Sequence, residues 1–87
     1  MRTKDQIPFV PASEATRCAY ACLDVIQSER PPAFVAGVAL LFTQMCASLG
    51  LDPSQMIDAS NRRINHDDTF HKRELKAMND FFKGELA

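Results

Sequence analysis

The chain has 87 residues, enough for one small domain that buries about 60–65% of its unfolded surface. Hydrophobic residues make up 46% and charged residues 24%, and ten Lys/Arg against eleven Asp/Glu leave a net charge of −1. That balance excludes proteins that hold nucleic acid or anionic membranes by bulk charge, and no Trp with only three Gly argues against a β-rich or loop-rich fold.

In chain order, residues 1–12 read as an N-terminal arm. Thr3 and Gln6 have capping-box spacing, but Pro8 and Pro11 allow at most one helical turn. Charges in the first six residues are not followed by an apolar h-region, so no signal peptide is expected. Ile7, Phe9 and Val10 are placed to tuck against the body or into a partner.

The first helix is predicted over residues 14–29, with Ser13 as N-cap. Ala15, Cys18, Ala19, Cys22, Leu23, Val25 and Ile26 fall on one side. Pro31-Pro32 ends this helix and starts the next, because Pro disfavours helix at the preceding residue and suits a first helical turn. Three Cys, two of them helical and one in the apolar run, read as small core residues in a reducing compartment and not as a disulfide framework.

The second helix is predicted over residues 32–49, with Gly50 as a left-handed cap. Positions 33–42 are all apolar or Gly. Phe34, Val35, Val38, Leu41, Phe42, Met45 and Leu49 form a bulky face. Ala33, Ala36, Gly37, Leu40, Thr43, Gln44 and Ala47, with Ser48, form a smaller and mildly polar one. The bulky face is expected to be covered by the two later helices. The small face lets another helix approach closely, either the first helix or a copy of the same helix in another subunit. A membrane span is not expected, because the run is short of the about 20 apolar residues a span needs and Thr43, Gln44 and Ser48 interrupt it.

The third helix, over residues 53–64, has the strongest local signals. Asp52 is the N-cap, Pro53 the first helical residue and Gln55 the capping-box partner, with Leu51 and Met56 as a hydrophobic staple. The fourth helix is predicted over residues 69–84, with Phe70, Leu75, Ala77, Met78, Phe81 and Phe82 on its inner arc. The fold expected is therefore all-α: a compact three- to four-helix bundle in a single domain, with an extended N-terminal arm and a central apolar helix.

Few side chains point to chemistry. His66, Asp67, His71 and Glu74 include metal-ligating types, but the two imidazoles stand five apart, not the four that shares a helix face. Asp67 and Asp68 also suit helix capping. No metal or cofactor is expected. Cys18 and Cys22 lack the spacing and the fourth ligand of a zinc site. Arg62, Arg63, Lys72, Lys76 and Lys83 form a candidate phosphate- or partner-binding stripe. Acidic neighbours cut the net charge of residues 62–87 to +1, and Arg62 and Arg63 also suit the negative end of the third helix. No phosphate loop, serine elbow or paired catalytic carboxylates can be placed, so an enzyme is not expected.

Two stretches, Phe42-Thr43-Gln44-Met45-Cys46-Ala47-Ser48-Leu49-Gly50-Leu51-Asp52-Pro53 and Arg73-Glu74-Leu75-Lys76-Ala77-Met78-Asn79-Asp80-Phe81-Phe82-Lys83-Gly84-Glu85-Leu86, resemble small all-helical proteins encoded in tailed-phage and prophage genomes. The resemblance carries no activity and no site residues. It implies a phage accessory protein of the bacterial cytoplasm that acts by binding. The function expected is a small protein-interaction module that modulates a host protein, with homo-oligomerisation open. The alternative is nucleic-acid or nucleotide-phosphate binding through the basic stripe.

Overall fold

The computed structural model describes residues 2–65 and 69–86, with the side chains of residues 69–71 excepted. The described chain is helical almost throughout. It comprises α1 (Thr3–Gln6), a 3₁₀ turn (Ile7–Phe9), α2 (Ala12–Ile26), α3 (Pro31–Leu49), α4 (Pro53–Ile64), α5 (Thr69–Phe81) and a π-helical turn (Phe82–Leu86). The all-α reading holds.

The N-terminal arm is not extended. It is a helical turn followed by a 3₁₀ turn, closed by the Val10 N–H donating to the Ile7 carbonyl at 3.1 Å. The arm is tied down from a distance. The Arg63 guanidinium at the end of α4 donates from Nη2 to the Ile7 carbonyl at 2.7 Å and from Nε to the Val10 carbonyl at 3.4 Å. The Ile7 carbonyl, which also accepts the Val10 N–H, and the Val10 carbonyl thereby gain a charged donor.

Pro11, extended at φ −62° and ψ 150°, stands at the N-terminus of α2 where Ser13 is expected to cap, and the helix ends at Ile26. Its buried residues are Thr16 and Leu23, with Tyr20 and Ile26 half-buried against the core. This inner face is turned by about one residue step, or about 100°, from the predicted one. The physical reason is area. Tyr20 supplies a ring to bury, whereas Cys18 and Cys22 supply little apolar surface. Both of those cysteines are exposed, and Cys46 alone of the three is buried, so the reading of all three as core residues is corrected. All three are free thiols.

The core lies where α2, α5 and the start of α3 meet. Leu23, Phe34 and Met78 are buried together, with Tyr20, Ile26, Leu75, Phe81 and Leu86 around them. Phe34, Phe81 and Phe82 form an aromatic triangle with centroids 6.0–6.5 Å apart. The Phe34–Phe82 and Phe81–Phe82 pairs meet edge-to-face, the arrangement that the ring quadrupole favours. α2 and α5 make the most extensive pairing, and α4 leans on α5. The π turn that follows Phe81 aims Phe82 and Leu86 back at α3, so the last regular helix stops short of the predicted residue 84.

Candidate functional site

α3 is built from strong local signals. Arg30 is extended, Pro31 and Pro32 occupy the first two helical positions, and the Phe34 N–H closes the first turn on the Arg30 carbonyl at 2.9 Å. At the far end Gly50 is left-handed at φ 68°, and the Leu51 N–H reaches back to the Cys46 carbonyl at 2.9 Å. That six-to-one bond is the mark of a Schellman ending, which needs a residue without a Cβ penalty at Gly50.

Between these ends the helix is largely bare. Phe34 and Cys46 are its buried residues and Phe42 is half-buried. The bulky face predicted to be covered by the later helices is not. Val35 and Leu41 are 58% and 67% exposed, and Val38, Met45 and Leu49 are exposed as well. The physical reason is competition for cover. α5 spends its most extensive contact on α2, and the π turn after it meets α3 beside Phe34, Val35, Val38 and Ala39, which leaves these five arc residues exposed.

Among the described residues, no helix packs closely on the small face either. Ala33, Ala36, Gly37, Leu40, Thr43, Gln44 and Ala47 are all exposed. A Cβ added at Gly37 would meet nothing within 4 Å, so the first helix does not pack closely there. Thr43 Oγ1 donates to the Ala39 carbonyl at 2.8 Å and Gln44 Nε2 to Ser48 Oγ at 3.4 Å. The polar groups of this face are thus met within the helix.

Two shallow grooves flank the arc. One is lined by Phe34, Val35, Val38 and Ala39 of α3 with Phe82 and Leu86 of the π turn. The other runs between the end of α2 and α3, past Ile26, Glu29, Ala33, Gly37 and Leu41. Phe34 and Val38 border both, so the arc and its grooves make one continuous apolar surface.

The basic stripe is divided. Lys72 and Lys76 line a groove on α5 with Ile64, Leu75, Met78, Asn79 and Phe82. Arg62 and Arg63 border a different groove beside the arm, where Arg63 serves as the strut described above. Lys76 Nζ pairs with Asp80 Oδ2 at 3.0 Å, and Lys83 stands exposed in the π turn. Of the candidate metal ligands, His66 and Asp67 lie outside the described residues, as does the side chain of His71, while Glu74 is half-buried on α5. Among the described residues no group of three or more metal-ligating side chains comes together.

Comparison with protein-family models, with curated proteins and with solved structures finds no match. Sequence reasoning found the residues of the arc but assigned them to the core. It missed the strut role of Arg63, for which the chain holds no local signal, since its partners lie 53 and 56 positions away.

Proposed function

We propose that this chain is a small non-enzymatic protein-interaction module that binds through the bulky arc of α3. It acts as a phage accessory protein that modulates a host protein in the bacterial cytoplasm. The observation that carries the reading is the exposure of Val35, Val38, Leu41, Met45 and Leu49 on one side of one helix. A continuous exposed apolar surface of that kind marks an interaction site. The phage and host parts rest on the resemblance of residues 31–87 alone.

Membrane insertion is the main competitor for such a helix. At 19 residues α3 is long and apolar enough to cross a bilayer by length and composition, so the expectation that the run is too short does not stand. Two ties argue against a span in the folded chain. Leu23, before α3, shares a core with Met78, after it. Arg63, after α3, holds the arm before it. A spanning α3 would put each pair on opposite sides of a hydrocarbon layer about 30 Å thick, or carry the charges of α5 into it.

The basic-stripe alternative keeps one supporting observation, the shared groove of Lys72 and Lys76. It is weakened by the Lys76–Asp80 pair and by the engagement of Arg63.

A photo-crosslinking residue placed at position 41 or at position 76, in bacterial cells, tests both readings. An adduct with a polypeptide from position 41 and none from position 76 is the expected result. Nucleic-acid adducts from position 76, with nothing at position 41, would transfer the function to the stripe.

A further inference from the structure

The chain exposes too much surface for its mass. Its accessible area is 6592 Å², whereas a compact monomer of 9.7 kDa exposes about 5,100 Å². The excess is about 1,500 Å² per chain, or about 3,000 Å² for two copies, inside the range of about 2,000–5,000 Å² that obligate homodimers bury. The radius of gyration agrees: it is 13.6 Å against about 12 Å for a compact chain of this length.

The core is correspondingly small. Leu23, Phe34, Cys46 and Met78 are the buried apolar residues among those described. A domain with so few needs added apolar burial to fold. A partner that supplies it must be present whenever the chain folds, and a second copy always is. The chemistry of the surface fits the same occupant. No charged residue occurs between Arg30 and Asp52, and Glu29 alone brings a charge to the flanking grooves, so a foreign partner would find little charge there to read. Homodimer interfaces are the more apolar class and are depleted of charge at their centre.

We infer that a second copy of this chain covers the bulky arc of α3, the two helices meeting face to face about a twofold axis. This deepens the interaction reading above and rests on it: it names a second copy as the polypeptide that the arc meets, so a host protein docks on the assembled dimer away from the arc. Each arc meets its own copy, as an isologous contact requires. The apolar grooves beside Phe34 and Val38 join the contact, which brings the buried area above what one pair of helix faces supplies.

Light scattering during size-exclusion chromatography of the full chain tests the inference. The expected particle has twice the 9.7 kDa chain mass and persists on dilution. Val38→Lys combined with Leu41→Lys should weaken association by about 100-fold or more, since charges would be buried at the centre of the contact. Val25→Lys adds the same kind of charge on exposed α2 surface and should leave the dimer intact. A wild-type particle of 9.7 kDa at every concentration would overturn the dimer. The interaction reading would then stand or fall on whether position 41 crosslinks to a different polypeptide. A dimer dissociated by Leu40→Lys but not by the double substitution would move the interface to the small face and overturn the assignment to the arc.

Discussion

Arg63 shows how far one side chain departs from its sequence context. Beside Arg62 at the end of α4, it reads as half of a cationic pair facing the helix dipole or a phosphate. In the fold it donates to two carbonyls of the arm. The 2.7 Å bond is a strong charge-assisted one, while the 3.4 Å bond adds little. Arg63→Ala should cost about 1–2 kcal/mol in urea unfolding and expose the arm to proteolysis. Arg62→Ala should change stability by less than about 0.5 kcal/mol. Equal effects of the two substitutions would remove the strut role. Phe34 is the counterpart in the core: it was legible as apolar, but its place between Phe81 and Phe82 depends on a π turn that no local pattern announces.

Among the elements, α4 was the most legible. The Asp52 carboxylate accepts the Ser54 N–H at 2.9 Å and Pro53 opens the helix, as the sequence predicts. Such signals read true because capping is settled within a few residues of backbone. Asp52→Ala should cost about 1 kcal/mol, read as a fall in melting temperature of about 4–8 °C for a domain of this size. An unchanged melting temperature would mean that the cap contributes nothing. α2 was less legible. Its existence followed from periodicity, but its inner face was assigned to Cys18 and Cys22 when Tyr20 and Thr16 hold it. The helix has a definite apolar side, but its Ala and Cys side chains offer little area, so what it packs against decides which of those residues are buried.

For the whole molecule, the imbalance between core and surface dominates. Stability in a chain with this small a core is linked to association, and association obeys mass action. The melting temperature should therefore rise with protein concentration, a dependence that calorimetry or circular dichroism over a dilution series would reveal. A melting temperature independent of concentration would leave the monomer as the folding unit and contradict the twofold assembly. The same view explains why the candidate site was half legible. The residues of the α3 arc were identified from their spacing, yet read as core, because periodicity reports that a face is apolar and not what covers it. The cover depends on where α4 and α5 go, and that is set by the turn at Gly50 and by the pairing of α5 with α2.

The sequence by itself determined the existence of the four longer helices, the cap at Asp52 and the ending at Gly50, and the bulky and small sides of α3, because each follows from backbone geometry and spacing over a few residues. Only the tertiary structure decided that α5 pairs with α2, that Arg63 holds the arm, and that the middle of the α3 arc faces outward. Those outcomes depend on contacts between residues far apart in the chain, and on there being too few helices in one copy to cover every apolar face.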